Sequence, residues 1–340
     1  MQGSVIQVLV VDDSEPFRRI VTSFLHLRPE VQVIIEASDG PEAVRKAQEL
    51  QPDLIVLDIG LPQLNGIAAA KQIRDLSPQS RILFLSQESS LAVVEEAMRL
   101  GGWGYVLKAD AGRDLQPAID AVLRGRKFLG KRFSPLRLAD SMNPDDPRDP
   151  LSSLPSSAEK TCVHEVHFYS HESEFLNALA GFIGTALSDG KAAILVAKEP
   201  RRAALLPILD ARGVDVAVAA NDGRYIALDS AEMLASFMVD GTLDRDRFFK
   251  IAGELFIGAA KKTREEHSCV VACGECAPLL LEQGHADETI RFERLLEEAA
   301  RRFGVDILCG YPLSSFDGEF AVHHFNAICA EHSGVYFRQS

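Results

Sequence analysis

Apolar residues along this chain fall into short runs, and amphipathic stretches separate the runs at regular intervals. The first run, 5–11, ends at Asp12-Asp13. Ser14 can cap a helix with Glu15 and Pro16 in its first turn, running to about Arg28 with Phe17, Ile20, Val21, Phe24 and Leu25 on one face. A second strand is predicted over 31–37, and Ser38-Asp39-Gly40-Pro41 opens a helix that reaches the Gln51-Pro52 break. Leu54-Ile55-Val56-Leu57 is continuous and apolar, as in a strand buried on both faces, and stops at Asp58. Pro62, Asn65 and Gly66 mark a turn into a helix over 66–76. A strand over 81–85 ends at Ser86, a helix follows over 91–100, a strand over 104–107 stops before Lys108, and a helix covers about 115–123. Strands and helices in strict alternation predict a doubly wound parallel sheet.

From Phe128 the pattern dissolves. Pro135, Pro144, Pro147, Pro150 and Pro155, set among serines and alternating charges, forbid a long helix or a central strand. Residues 129–160 therefore read as an extended tether between a first domain, 1–128, and a second, 161–340. In the second domain strands are predicted over 163–169, 192–197, 214–219, 225–228, 268–272 and 306–309. Helices are predicted over 173–187, 199–212, 230–239, 245–265, 278–281, 287–303 and 319–331, the last one ending the chain. This is a second three-layer α/β domain.

Composition sharpens the class. With 340 residues, 46% hydrophobic and 25% charged, two ordinary globular domains are expected. No apolar run approaches the roughly 20 residues that span a bilayer, and the amino end has no basic leader before its first strand. A net charge of -13 argues against a nucleic-acid-binding surface. Six cysteines without a leader point to reduced thiols, hence a cytoplasmic protein with no membrane anchor.

The chemistry gathers at the strand ends: Asp12 and Asp13, Asp58, Ser86 and Lys108. In open α/β sheets ligands collect beyond the carboxyl ends of the strands. An Asp-Asp pair after one strand is ordinarily a solvated turn, so the argument rests on the whole set. Carboxylates brought together repel one another and call for a cation, and Mg²⁺ takes such oxygen ligands. A lysine beside them can neutralise a transferred phosphoryl group, and a hydroxyl can donate to it. With VVDDSEPFRR, VLDIGLPQLNG, FLSQ and GYVLKAD, residues 4–128 resemble the receiver (CheY-like) domain of bacterial response regulators, a flavodoxin-like fold. The resemblance implies that Asp58 is the phosphoacceptor, and that Asp12, Asp13, Asp58 and the Gly60 carbonyl hold Mg²⁺, Asp12 mainly through a metal-bound water. It implies that Ser86 and Lys108 engage the phosphoryl oxygens, and that Tyr105 is the aromatic that turns inward as Ser86 moves. By the same resemblance Gly60 and Glu88 sit where the family tunes phosphoryl lifetime. Ala109 follows Lys108 where many relatives carry a cis proline. The implied partner is a sensor histidine kinase or phosphotransfer protein, with the face of helix four, strand five and helix five available for a homodimer.

The second domain shares its element order with RecA-type NTPases, but Ser170-His171-Glu172-Ser173-Glu174 stands where a phosphate loop belongs. It has no glycine and no Gly-Lys-Ser/Thr, and its acidity repels phosphates. ATP hydrolysis is not expected, and no other enzyme activity beyond receiver self-phosphorylation and dephosphorylation. HFYSHESEF, LDSAEMLASFMVDGTLDRDRF, GECAPLLLEQG and ILCGYPLSSF resemble the MEDS sensory domain, a RecA/KaiC-like fold without the phosphate loop, over about 162–335. That family name implies small organic or hydrocarbon-derived ligands. Cys276 stands in GEC where the family usually has Met. His167, Tyr169, His171, Glu275, Cys309 and Tyr311 fall at strand ends, where they either line a ligand pocket or satisfy one another as buried polar groups. Cys269, Cys273 and Cys276 spell an iron–sulfur spacing but begin inside an apolar strand, so core cysteines are expected, there and at Cys309. His323-His324 reads as surface. Two functions follow: a phosphorylation-controlled regulator whose second domain is not a DNA-binding output, or a small-molecule sensor whose receiver is a gating or dimerisation module.

Overall fold

The structure, a computed structural model, describes residues 5–133, 162–263, 270–316 and 321–337. Residues 134–160 of the expected tether, and Cys269, lie outside the described residues. The chain divides into two compact units, Met1–Thr161 and Cys162–Ser340.

The first unit alternates as the hydrophobic pattern requires: β1 (Ile6–Val11), α1 (Glu15–His26), β2 (Val31–Ala37), α2 (Gly40–Leu50), β3 (Leu54–Leu57), α3 (Gly66–Leu76), β4 (Arg81–Ser86), α4 (Leu91–Arg99), β5 (Gly104–Leu107), α5 (Ala111–Leu123) and β6 (Phe128–Leu129). The sheet runs β2-β1-β3-β4-β5-β6 and every pairing is parallel. β3 is buried along its whole length between the two helical layers. α1 buries the five residues that share its apolar face, and Ser14 caps it by accepting the Phe17 amide.

Two boundaries differ from expectation. Helix α5 begins at Ala111, directly after a 3₁₀ turn over Lys108–Asp110. Residues 129–133, expected as the start of the tether, belong to the first unit. Phe128 and Leu129 add a sixth strand beside β5, and the Phe133 ring packs edge-on against Tyr105 at 5.5 Å. Two aromatic rings with apolar surface to bury outweigh the breaking tendency of the prolines that follow.

The second unit contains β7 (His164–Tyr169), α6 (Glu172–Ser188), β8 (Ala192–Val196), α7 (Glu199–Ala211), α8 (Val216–Asn221), β9 (Tyr225–Leu228) and α9 (Ser230–Phe237). A hairpin, β10 (Met238–Val239) and β11 (Thr242–Leu243), leads to α10 (Arg245–Ala260). Then come β12 (Val270–Gly274), α11 (Cys276–Glu282), α12 (Ala286–Phe303), β13 (Val305–Pro312), α13 (Ala321–Ala330) and β14 (Gly334–Phe337). The sheet, again parallel throughout, runs β14-β7-β13-β12-β8-β9.

Three expectations are corrected here. The strand expected over 214–219 is a helical turn, because Asp215 accepts the Val218 amide at 2.9 Å and so caps it. Short apolar runs do not separate strand from helix by periodicity, and the cap decides. The helix expected over 230–239 ends at Phe237, and Met238–Val239 form the first strand of the hairpin instead. The chain also continues past its last helix into β14, which extends the sheet beyond β7. At Gly310 in β13 a Cβ would meet the Phe175 ring at 1.9 Å, so only glycine lets α6 lie this close to the sheet.

Candidate functional site

In the first unit the carboxyl ends of β1, β3, β4 and β5 bring Asp12, Asp58, Ser86 and Lys108 to one buried place. The Lys108 ammonium lies 2.6 Å from Asp12 Oδ2 and 2.8 Å from Asp58 Oδ2, above the Phe17 ring at 4.8 Å. Carboxylate oxygens of Asp12, Asp13 and Asp58 fall within 4.8 Å of one another, with Asp13 exposed and the other two buried. The Gly60 amide donates to Asp58 Oδ1 at 3.1 Å, and the Ser14 amide to Asp12 Oδ1 at 3.0 Å. The Ser86 hydroxyl accepts the Glu88 amide at 3.1 Å. Tyr105 is fully buried and donates its hydroxyl to the Glu88 carbonyl at 2.7 Å. Lys108–Ala109 is a trans bond, as are all described peptide bonds.

Electrostatically this place is short of positive charge. Burial pushes the Asp12 carboxyl up to about 7; Lys108 opposes the shift and Asp58 adds to it. Burial also raises Asp13. Lys108 is itself raised, because the two carboxylates outweigh the burial that would lower it. Three converging carboxylates, two of them raised by burial and by the charge of Asp58, fit a hard divalent cation such as Mg²⁺.

The turn after β3 is built around Gly66, where a Cβ would meet the Asp58 carbonyl oxygen at 2.0 Å. Its amide donates to the Ile59 carbonyl at 2.9 Å, and Asn65 caps α3 through the Ala68 amide. Arg18 went unnoticed in the sequence. It donates to the Asp12 carbonyl at 2.8 Å and pairs with Glu36 at 2.8 Å, fixing the β1–α1 loop from behind. The second arginine of Phe-Arg-Arg points outward and pairs with Glu15 instead. One residue along the helix, a rotation of about 100°, decides which arginine meets the loop.

In the second unit the sheet separates the strand-end residues singled out above. Side chains alternate along a strand, so His164 and His167 leave β7 on opposite faces. On one face Tyr169, stacked on Phe175, accepts a hydrogen bond from Arg201 at 2.8 Å, and Arg201 also pairs with Glu172 and Glu275. Glu275, directly after β12, is buried and has both oxygens engaged. Oε1 accepts the Lys198 amide and the Ser230 hydroxyl, and Oε2 accepts Arg201. Next to it lies a cleft of about 230 Å³. His171 is exposed at the start of α6, where Glu174 accepts its amide, and His167 packs edge-on to Phe175. Cys309 and Tyr311 project to the other face, against Glu293 of α12. Cys273 and Cys276 are buried, with thiols raised by burial, and His323 is exposed. A separate apolar cavity of about 70 Å³ lies between the sheet and the helices, walled by Met233, Phe237, Phe248, Phe256, Phe292 and Ile307 among others.

Comparison with known proteins agrees with this division. A family model described as the response regulator receiver domain matches residues 8–120, and one described as MEDS, the methanogen/methylotroph, DcmR sensory domain, matches 163–326. The chain is 33% identical over 158 residues to the DNA-binding transcriptional activator DevR/DosR of Mycobacterium tuberculosis, covering 46% of this chain and 72% of that one. It is 38% identical over 141 residues to the transcriptional regulatory protein LiaR of Bacillus subtilis, covering 39% of this chain and 65% of the relative, less than two thirds of its length. A crystal structure of a two-component response regulator, LuxR family, from Aurantimonas sp. SI85-9A1 aligns with a TM-score of 0.38 at 31% identity, over 41% of this chain and all of that one.

Proposed function

The chain belongs to the response regulator family, with a receiver domain followed by a MEDS domain, and from this we propose that it takes a phosphoryl group from a sensor histidine kinase or phosphotransfer protein onto Asp58. The observation that carries the reading is the Lys108 ammonium between Asp12 and Asp58, beside Ser86. An Asp58 carboxylate oxygen attacks phosphorus, the bond to the donor's histidine nitrogen breaks, and an acyl phosphate forms. Asp12, Asp13, Asp58 and the Gly60 carbonyl would hold a Mg²⁺ ion, which would supply the charge that offsets the incoming oxygens. Lys108 then pairs with the phosphoryl group and Ser86 donates its hydroxyl to it. The added charge of about -1.5 to -2 draws both inward. Tyr105 moves with Ser86 and reshapes the face of α4, β5 and α5, where a second receiver docks.

The output follows from the second family match and from charge. The curated relatives include DNA-binding regulators, but here a MEDS domain follows the receiver and the net charge is -13. We assign the output to that domain and its partner proteins, with neither DNA binding nor ATP hydrolysis, in the cytoplasm; no described helix is long and apolar enough to cross a membrane. The test is Mg²⁺-dependent phosphorylation of the full chain by acetyl phosphate, read by intact mass. The expected result is one phosphoryl adduct, lost in Asp58→Asn; equal labelling of the variant refutes the assignment.

The apolar cavity favours a second reading, in which the MEDS domain senses a small organic molecule and the receiver gates it. Apolar cavities of this kind stay dry and take up apolar guests. Xenon and small halocarbons, guests matched to about 70 Å³, should then raise the melting temperature of the full chain, and Phe248→Trp, which fills the cavity, should cancel the rise.

A further inference from the structure

His164 opens β7, Glu293 lies on α12, Cys309 on β13, and His332 in the turn between α13 and β14. Their donor atoms all fall within 4.8 Å of one another, and all four side chains are closed off from solvent. The separations are specific. Glu293 Oε2 is 3.2 Å from His164 Nε2, 3.3 Å from His332 Nε2 and 3.4 Å from Cys309 Sγ, and Cys309 Sγ is 3.5 Å from His164 Nε2. A tetrahedral zinc ion with N and O ligands at about 2.0–2.1 Å and sulfur at about 2.3 Å has ligand–ligand edges of about 3.3 Å, or about 3.5 Å to sulfur. The four measured edges match that figure.

We propose that His164, Glu293, Cys309 and His332 form a buried, four-coordinate zinc site.

Three further features support it. The His332 Nδ1 contacts the Ile328 carbonyl at 2.7 Å; a carbonyl only accepts, so Nδ1 carries a proton, and in the neutral ring Nε2 then presents a lone pair to the centre. That Nε2 is buried and makes no hydrogen bond, since its 3.3 Å approach to Glu293 lacks hydrogen-bond direction. Outer partners hold the ligands in place, as they do around metal sites. The Tyr311 hydroxyl donates to Glu293 Oε1, and Glu297 lies 3.2 Å from His164 Nδ1, near enough for a small turn of its carboxylate to accept the ring proton. Ser333 hydrogen-bonds the His164 backbone in both directions, which pins His332 beside His164. Charge also balances, because one thiolate and one carboxylate neutralise a divalent ion, leaving no net buried charge. Four protein ligands leave no open position, so the site is structural. It ties the edge strand pair β7–β14 to α12 and β13.

The experiment uses the full chain, purified without chelator and in excess Mg²⁺ to fill the receiver. Elemental analysis should find close to one zinc per chain. Replacement by Co²⁺ should give the ultraviolet thiolate-to-cobalt charge-transfer band and intense visible bands of tetrahedral cobalt. The oxygen-only receiver site cannot produce the sulfur band. Cys309→Ser should lose that band, and His332→Gln, a change in a turn, should weaken metal retention at least tenfold. Stripping zinc should lower the melting temperature by about 5 °C or more. A chain with no zinc, no cobalt–sulfur band and no response to chelator overturns the proposal and leaves a histidine–carboxylate hydrogen-bond network in its place.

Discussion

Asp58 and Glu275 hold equivalent places in the two units, each just beyond the carboxyl end of a strand in a six-stranded parallel sheet. Both are buried, yet they are prepared for opposite ends. Glu275 takes a guanidinium, an amide and a hydroxyl, so its charge is spent on holding α7, α9 and α11 around the strand end. Asp58 shares one ammonium with Asp12 while Asp13 stands beside them. Position on the sheet edge is therefore not what makes a carboxylate reactive. The balance of donors around it is: a saturated carboxylate is an anchor, and one in a cation-deficient cluster is fitted to a metal ion and, on the function proposed here, to attack on phosphorus.

The difference can be tested unit by unit, because the chain's one tryptophan, Trp103, lies in the receiver and reports its unfolding separately. The largest effect is expected at the anchor. Arg201→Met keeps most of the side-chain volume but leaves Glu275 buried without its guanidinium, which costs about 3–5 kcal/mol. Urea unfolding followed by far-ultraviolet circular dichroism should show the second unit weakened by that amount while the Trp103 transition stays in place. An unmoved second transition means that Glu275 is satisfied without Arg201. Gly66→Ala comes next and acts in reverse, on Trp103 alone. Its methyl group would enter the Asp58 carbonyl oxygen, and moving backbone aside costs about 2–3 kcal/mol with phosphorylation yield falling in step.

The cation deficit also has a pH signature. Asp12 titrates at about 7 in the folded receiver against 3.8 unfolded, so its protonated form favours folding. That contribution is complete below about pH 3.8 and is lost as pH rises through about 7. Metal-free protein should therefore show a Trp103 transition that weakens between pH 5 and pH 8, and Asp12→Asn should abolish the slope. Mg²⁺ binds the deprotonated carboxylates, so its stabilisation should be larger at pH 8 than at pH 5 in the parent chain. A flat parent profile would remove the cation-deficit argument.

The receiver was legible in sequence because each of its site residues follows its own apolar run, and the parallel sheet does the assembling. Tyr169 and Glu275 were singled out for the same reason, but the partner that joins them, Arg201, sits on a helix and carries no strand-end signal. The buried cluster of the second unit was illegible for a related reason. Of its four residues only Cys309 stood out; His164 begins a strand, Glu293 reads as one acid on an acidic amphipathic helix, and His332 precedes a strand the pattern did not reveal. No spacing in a linear chain encodes a meeting of four elements. The receiver's boundary was missed because proline content marks where regular structure stops only approximately, and Phe128 and Phe133 had surface to bury first.

The smallest effect separates capping from positioning. Asn65 and Asp229 both start a helix after a strand end: Asn65 accepts the Ala68 amide at 2.9 Å, and Asp229 accepts the Ala231 and Glu232 amides at 2.9 and 3.2 Å. Removing either cap costs about 1 kcal/mol. Asp229→Ala should weaken only the second unit, Asn65→Ala only the Trp103 transition. Asn65 adjoins Gly66, which is locked against the Asp58 backbone, so the turn keeps its shape through the Gly66 amide and the Ile59 carbonyl when the cap is gone. Phosphorylation of Asn65→Ala at a temperature where it is fully folded should then match the parent. If labelling is lost despite so small a change in stability, the cap itself aims Asp58. The reactive carboxylate would then depend on its helix as strictly as the anchoring one depends on Arg201.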